Sequence, residues 1–494
     1  MTRNLDVIII GGGVVGCSIA WELSKFQSKI LLLEKESDVC YGTSGRNSGV
    51  AHAGFYVKPR TLKAKTNVKG LRMLPKICEK LGVSYKEIGK LVIAKNEDEI
   101  PYLEKLKKQG KENGVKGLSI MEEEDVKRLE PNIKGIAALY SEKSAILDPF
   151  KLTIALAENA YENGVNVLLE RKVTAISREN GKFSVKTTDG TFNCNMLVNS
   201  AGLYSDKIAE MVGIYEYKIY PCKGEYFVLD KSKKNLINHL VYPVPPKDLG
   251  GLGVHLTPTV DRNIMIGPSA EYIENRDDTS NTAEVMANLY KEAVEILPMI
   301  SRRDFIHSFS GIRPKLIPPH SKKPADFVIE ESPEVEGFIN LIGIESPGLT
   351  AAPAIARIVL NIIKKTIKLK PKEKFKPYKR QKERFEYLSN KERSNLINKD
   401  VDYGRIICRC EMVTKKEIMD AIQNPLSVKT INGIKMRCRA TTGRCQGSFC
   451  MPKIVEIMQE LYNPRIEEFT LSGKGSELFI GRTKDLRKND KRGG

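Results

Sequence analysis

The chain opens on an apolar run interrupted only by Asp6, Leu5-Asp6-Val7-Ile8-Ile9-Ile10. Apolar patterning at successive positions suits a parallel strand buried on both faces. Glycines follow, then helical character over residues 17–26, then a second apolar strand, Ile30–Leu33, that ends at Glu34. Similar short strands recur far down the chain. Leu197-Val198-Asn199-Ser200-Ala201-Gly202 is apolar and ends in small residues. Phe338–Gly343 is another strand, and Glu345-Ser346-Pro347-Gly348-Leu349-Thr350 leads from it into an alanine-rich helix. The longest early uncharged run, Val7–Trp21, has 15 residues and is rich in glycine. A membrane-spanning helix needs about 20 apolar residues, so this run reads as strand, turn and helix.

The first turn carries the first chemistry. Gly11-Gly12-Gly13-Val14-Val15-Gly16 contains G-x-G-x-x-G between a strand and a helix. Gly11 permits the tight turn, Gly13 lets the backbone approach a pyrophosphate, and Gly16 lets helix and strand pack closely. The helix N-terminus, with Val15 in its first turn, faces the negative charge. Glu34, followed by Lys35, can accept hydrogen bonds from ribose hydroxyls, and an acid here disfavours a 2′-phosphate. A dinucleotide site follows, though the motif alone leaves FAD and NAD open. The next segment, Gly42-Thr43-Ser44-Gly45-Arg46-Asn47-Ser48-Gly49, offers many backbone and hydroxyl donors. That composition suits a loop wrapped along a diphosphate and a flavin ring.

With these residues in view, the chain resembles the D-amino-acid-oxidase-like FAD-dependent superfamily. The loop and its continuation through Phe55-Tyr56, Lys58-Pro59 and Leu62-Lys63-Ala64 look closest to L-2-hydroxyglutarate dehydrogenases and to anaerobic glycerol-3-phosphate dehydrogenase A subunits. The resemblance implies α/β architecture: a Rossmann-like FAD-binding domain with an inserted α+β substrate domain, plus a small mainly helical cysteine-rich C-terminal domain. It implies that Val173 contacts adenine through its backbone and that Ala201 and Gly202 pass close to the FAD diphosphate. Gly348, Leu349 and Thr350 start a helix, where exposed N–H groups carry partial positive charge. In this superfamily they point at the flavin pyrimidine edge. The expected domains are an oxidoreductase over 1–365, a basic linker over 366–402, a cluster domain over 403–456 and an extension over 457–494. Within the first, the FAD part takes about 1–80, 165–215 and 310–365, and the substrate part about 80–165 and 215–310.

Substrate residues follow from the same resemblance. Gly311-Ile312-Arg313-Pro314-Lys315 resembles a Gly-Leu-Arg-Pro stretch whose Arg holds the substrate's anionic group, and a planar fork of donors suits a carboxylate or phosphate. Lys223-Gly224-Glu225-Tyr226 resembles a strand lining the same cavity, with Lys223 as a second positive charge. Oxidising a secondary alcohol needs a base near neutral pH, a role histidine suits. Of the five histidines, His255 lies in a Gly-Val-His stretch like that of the 2-hydroxyglutarate enzymes, and His52 lies in the flavin loop. Either is a candidate, although a lone histidine is more often structural.

Composition then shifts. Residues 364–400 hold 14 Lys or Arg against 5 Asp or Glu, which reads as a solvated linker. The net charge of +19 is spread among many acids, aromatics are sparse in the linker and no nucleic-acid motif is present, so no nucleic-acid partner is expected. Asp6 sits where an export signal would keep its basic end, so the ten cysteines are expected as reduced thiols or metal ligands in a cytoplasmic protein.

Five of the ten fall within 43 residues. Cys408, Cys410, Cys445 and Cys450 give C-x-C-x34-C-x4-C, and four thiolates suit a [2Fe–2S] cluster or zinc. Cys438 does not fit the pattern and reads as a spare or alternate ligand. The spacing resembles bacterioferritin-associated-ferredoxin-like domains fused to glycerol-3-phosphate dehydrogenase A subunits. A flavin takes two electrons as hydride and a cluster removes them singly, which favours iron. The resemblance implies oxidation of a small anionic secondary alcohol, sn-glycerol 3-phosphate first. L-2-hydroxyglutarate or another hydroxyacid is the alternative. An amine or imino acid such as proline, an electron-transfer subunit without its own substrate, and an oxygen-using oxidase also stay open. The implied partner is a second flavoprotein or iron–sulfur subunit, through which the chain could reach a membrane indirectly.

Overall fold

The computed structural model describes residues 4–245, 253–319, 321, 325–377 and 384–481. These divide into two compact units: Met1–Lys35 with Val39–Gln381, and Glu36–Asp38 with Lys382–Gly494.

The first unit holds two large sheets. In one, strand Asn4–Ile10 lies between Ile30–Leu33 and Thr191–Asn199, parallel to both. Asn166–Leu168 extends the parallel set beyond Ile30–Leu33. Thr191–Asn199 shares its other edge between two neighbours. Residues 191–194 pair antiparallel with Lys182–Thr187, and residues 197–199 pair parallel with Phe338–Ile342. Ile8, Leu197, Phe338 and Ile342 are fully or nearly fully buried in one core, which is why these strands are apolar at successive positions rather than at alternate ones. Helix Val14–Leu23 packs on helices Pro149–Glu162 and Gly348–Thr366, and helix Leu62–Leu81 packs on Gly348–Thr366. Close approach there depends on Gly70, where a Cβ would overlap the Thr350 carbonyl.

The second sheet has nine strands, in the order Glu271–Tyr272, Tyr220–Leu229, Ile264–Gly267, His255–Pro258, Leu240–Pro243, Lys90–Ala94, Ala137–Ser141, Leu118–Glu122, with Phe305–Lys315 also on Tyr220–Leu229. Residues alternate between its faces. Leu91, Ile93, Val241, Leu256 and Ile266 share a core with Leu289 and Ile296 of helix Ala283–Ile296. The opposite face carries Lys90, Tyr242, His255, Tyr226 and Arg313.

The α/β class and the inserted second sheet agree with the sequence reading. Some boundaries shift. Helix Pro149–Glu162 packs on the first glycine-started helix, so the part of the chain serving the first sheet resumes near 149. Arg313 belongs to a strand of the second sheet. The stretch 366–402 is not one solvated linker. Gln27 N–H donates to the Lys370 carbonyl and Lys372 N–H to the Lys25 carbonyl, so residues 370–372 run along the first unit. Helix Asn390–Lys399, started by a Ser389/Glu392 capping box, lies within the second unit.

The second unit is mainly helical. Helices Lys415–Ile422, Ile431–Cys438 and Met451–Tyr462 enclose Ile418, Ile434, Ile454, Met458 and Phe469. Phe469 is 1% exposed, so the chain past 456 completes this core rather than trailing as an extension. The segment 36–38 is pinned here as well: Asp38 accepts from Arg437 Nη1 at 2.5 Å, with both side chains buried.

Candidate functional site

The first site is built at two helix N-termini. Gly11 has φ +107°, and a Cβ on it would strike the Ser200 carbonyl; a Cβ on Gly16 would strike the Gly11 carbonyl and Ser200 Oγ. Only glycine permits this crossing of turn, helix and neighbouring strand. Helix Val14–Leu23 has no cap from its own Gly13; Ser44 Oγ, from the loop, accepts from Val14 N–H at 2.9 Å. Glu34 Oε2 accepts from Gly12 N–H at 2.6 Å, which brings the acid to the glycine turn. Val15 and Gly13 keep accessible surface in the first turn, as do Ala201 and Gly202 at the end of the adjacent strand. A Cβ on Gly202 would meet nothing within 4 Å. Uncapped N–H groups, an open glycine face and a nearby carboxylate fit a diphosphate with its ribose. Lys35 lies over the Tyr204 ring at 4.7 Å. Val173 begins strand Val173–Glu179, with its side chain buried.

The loop is stitched to the second sheet. Thr43 Oγ1 donates to the Ile312 carbonyl at 2.7 Å, and Arg46 Nη1 to the Ser310 carbonyl at 3.3 Å. Gly311 lacks a side chain where the Arg46 backbone crosses the strand. Asn47 Nδ2 donates to the Ser44 carbonyl at 2.6 Å and its Oδ1 accepts from Gly49 N–H at 2.8 Å, closing the loop beside Ser48. Helix Gly348–Thr366 also starts without a side-chain cap at Pro347; Gly348 N–H donates to the Glu345 carbonyl, which leaves the N–H groups of Leu349 and Thr350 in the first turn to another acceptor. Thr350 Oγ1 accepts from His52 N–H at 3.0 Å. His52 thereby adjoins the start of this helix.

Register decides which substrate candidates meet. Arg313 pairs with Cys222, and Phe309 with Tyr226, across two antiparallel strands, so these four share a face. Arg313 Nη1 lies 3.7 Å from Cys222 Sγ and its Nη2 donates to the Ser269 carbonyl at 3.2 Å. Gly224 leaves the space the guanidinium fills. Tyr226 stacks on Phe309 at 4.8 Å, and its phenol interacts with Arg313. His255 is buried and stacks on Tyr242 with ring centroids 3.4 Å apart.

Lys223 does not join them. It neighbours Cys222 in the strand, so it points to the helix-covered face. There it pairs with Asp278 at 3.1 Å and Glu225 at 3.8 Å. Glu225 Oε2 also accepts from Thr282 N–H, at the start of helix Ala283–Ile296. This geometry makes Lys223 a helix-anchoring residue and removes it from the substrate side. His239 is likewise engaged elsewhere, 2.7 Å from Glu130 Oε1.

Lys90 is the residue sequence reasoning missed. It is 1% exposed and lies 3.8 Å over the Tyr242 ring, with Phe55 at 5.7 Å and Tyr56 at 5.9 Å. Its Nζ is 3.3 Å from His52 Nδ1. Burial pushes its pKa down to about 7. Burial, with Lys90 beside it, holds His52 well below its usual range. Only the position of a lysine heading the apolar run Leu91-Val92-Ile93-Ala94 could have signalled this, and such a lysine ordinarily reads as a strand end in solvent.

The second site is the cysteine set. None of the ten cysteines forms a disulfide. Among the described residues no group of three or more His, Cys, Asp or Glu side chains closes around a single ion. The four thiols instead form two hydrogen-bonded pairs, Cys408 with Cys450 and Cys410 with Cys445. The Cys450 thiol holds Cys408 down, at about 6, and is itself pushed up. A Cβ on Gly443 would overlap that of Cys410, so glycine lets the two ligand loops meet. Thr441, Gln446 and Gly447 have φ of +74°, +48° and +93°. A β-branched residue held there stores about 1–3 kcal/mol of backbone strain, as ligand-clamping loops commonly do. Backbone N–H groups of Thr441, Glu411, Gly447 and Phe449 point at the sulfurs. Buried Glu411, held by Arg439 at 3.0 Å and Arg384 at 3.4 Å, fixes the first loop. Paired thiolates with surrounding amide donors fit a two-iron cluster. Cys438 stands apart: its thiol donates to the Ile434 carbonyl at 3.2 Å, and burial pushes it up to about 12.

Comparison with known proteins finds a family match over each of the two regions. Residues 6–362 match the FAD-dependent oxidoreductase family, and residues 406–460 match the BFD-like [2Fe–2S] binding domain. The chain is 42% identical over 487 residues to a glycerol 3-phosphate dehydrogenase of Caloramator mitchellensis, covering 97% of this chain and 99% of that protein. It is 36% identical over 405 residues to a mitochondrial L-2-hydroxyglutarate dehydrogenase of Arabidopsis thaliana, covering 73% and 83% respectively. The FAD-bound, dithionite-reduced L-α-glycerophosphate oxidase of Mycoplasma pneumoniae superposes with a TM-score of 0.71 at 31% identity, covering 76% of this chain and 98% of that one. No helix among the described residues is long and apolar enough to cross a membrane. The chain belongs to the family of FAD-dependent oxidoreductases and carries a BFD-like [2Fe–2S] domain after its flavin-binding unit.

Proposed function

We propose that the chain oxidises sn-glycerol 3-phosphate to dihydroxyacetone phosphate and passes the electrons through its [2Fe–2S] cluster to a partner protein. The observation that carries this reading is the Arg313 guanidinium, set on the same sheet face as His255 and Lys90. A fixed fork of donors suits one end of an anionic substrate. Lys315, two residues on along the same strand face, favours a dianionic phosphate over a single carboxylate. The near full-length likeness to a glycerol 3-phosphate dehydrogenase supports the same substrate.

FAD would be held by the residue-11 turn, the 42–49 loop and the Gly348 helix start, and when bound would supply the hydride acceptor. The chain's own residues do the rest. Arg313 orients the anionic end, the aromatic rings of Tyr226, Phe309 and Tyr242 exclude water, and His52 or His255 takes the hydroxyl proton. Cys408, Cys410, Cys445 and Cys450 hold the cluster. A second flavoprotein or iron–sulfur subunit is the acceptor, and the protein works in the cytoplasm, meeting a membrane only through that partner.

L-2-hydroxyglutarate is the second reading, favoured by the likeness to L-2-hydroxyglutarate dehydrogenases. Anaerobic mixing of the purified protein with each compound decides. Flavin bleaching by glycerol 3-phosphate alone supports the first, bleaching by L-2-hydroxyglutarate alone the second, and bleaching by neither removes both.

A further inference from the structure

We infer that Lys90 is a positioning residue that sets the tautomer of His52 and receives the substrate's proton through its ring. This rests on the reading that the site oxidises an alcohol, and it goes beyond that reading by assigning the proton a route.

Lys90 Nζ and His52 Nδ1 stand 3.3 Å apart. The backbone on either side of the ring is held, since His52 N–H donates to Thr350 Oγ1 and the His52 carbonyl accepts from Asn67 Nδ2. Lys90 has no carboxylate partner among the described residues. The titratable groups around the pair are Tyr56, from the segment after His52, and Tyr242, from the neighbouring strand. Tyr102 lies behind Tyr56, and His255 stacks on Tyr242. The phenols are pushed up by burial and stay neutral.

A neutral imidazole carries one proton. When Lys90 is an ammonium it must donate to Nδ1, and the ring proton is then on Nε2. In that state Nε2 cannot act as a base. When Lys90 is a neutral amine it can accept from Nδ1–H, and the Nε2 lone pair is free. The substrate hydroxyl then gives its proton to Nε2 as the carbon gives up a hydride, with both electrons, to the flavin. The Nδ1 proton moves to Lys90 Nζ. The C–O single bond becomes a carbonyl, the ring stays neutral overall, and Lys90 ends as the cation over the Tyr242 ring. Burial poises Lys90 near neutrality for this exchange.

Two measurements on the FAD-loaded full chain test it. ¹⁵N-histidine NMR across pH 6–9 reads the tautomer directly, with His52→Asn identifying its signal. The expected result is a change from Nε2–H to Nδ1–H as pH rises through about 7, and its loss in Lys90→Met. In the second, anaerobic bleaching by glycerol 3-phosphate has a rising pH limb near the same value, and Lys90→Met and Lys90→Arg lose about 10²-fold or more in rate. Arginine cannot surrender its proton, so retention of charge alone must not rescue. An unchanging His52 tautomer, or full bleaching rates in either variant, overturns the inference. If no substrate bleaches the flavin, the proposed reaction fails while the NMR titration still decides the Lys90–His52 relationship. Retained FAD checks that each variant folds, and the titration of the unaltered protein stands without them.

Discussion

Thr43 Oγ1 donates to the carbonyl of Ile312 at 2.7 Å, which ties the 42–49 loop to the strand position immediately before Arg313. The loop proposed to hold the flavin and the strand proposed to hold the substrate therefore share one hydrogen-bonded seam, reinforced by Arg46 and the Ser310 carbonyl. Arg313→Ala should leave FAD bound and reduce kcat/KM for the anionic substrate by about 10²-fold or more, the worth of two charge-assisted hydrogen bonds. Arg313→Lys should recover only part, because an ammonium cannot reproduce the fork. Steady-state kinetics with a dye acceptor measure both. An unchanged kcat/KM in the alanine variant would detach Arg313 from the substrate.

The Lys90 pKa has a stability consequence with a definite sign. Its folded value is about 7 against an ordinary 10.5. Between those values the unfolded chain binds one more proton, so stability rises with pH through this window. Below pH 7 the full cost of burying the cation is present, on the order of 5 kcal/mol before the aromatic ring offsets part of it. Lys90→Met should thus unfold at a higher temperature than the parent at pH 6, and the difference should shrink by pH 9. Scanning calorimetry at the two values checks it; a pH-independent difference would contradict a neutral-poised Lys90.

Gly16→Ala places a methyl against the Gly11 carbonyl and Ser200 Oγ. The expected outcome is loss of FAD, read as flavin released per chain on acid extraction, while iron and sulfide content stay near the parent's because the cysteine unit has its own core. Loss of both cofactors together would mean that the second unit needs the first in order to fold.

Cys410→Ser should abolish the cluster's visible absorption and its iron and sulfide. Cys438→Ser should keep them, since that thiol is spent on the Ile434 carbonyl and sits outside the two hydrogen-bonded pairs. Iron loss in Cys438→Ser without unfolding would return Cys438 to the ligand set.

Much of the fold was legible because its signals are local. Apolar runs of four to six residues marked the parallel strands, and the glycines at 11 and 16 mark a crossing that no side chain permits. What escaped depends on long-range register. Lys223 sits in a motif that suggested a cavity-lining cation, yet a strand alternates every residue, and pairing of Cys222 with Arg313 sends Lys223 to the other face. Lys90 escaped for the converse reason. Its partners His52 and Tyr242 lie 38 residues before it and 152 after it in the chain, and nothing near it in sequence announces an aromatic box. The basic stretch 366–402 misled because charge density was read as solvation, while the capping box at Ser389 and Glu392 starts a helix inside it.

The parallel sheet of the first unit is assembled from segments that begin at Asn4 and close with Phe338–Ile342, and its second helix start comes at Gly348. During synthesis the glycine turn emerges first and waits for more than three hundred further residues before its sheet is complete. Contacts of such sequence separation form slowly, and a half-made parallel sheet exposes apolar edges in the meantime. Flavin capture is consequently a late event in the life of a new chain, and truncations that end before the alanine-rich helix should yield colourless, aggregating protein.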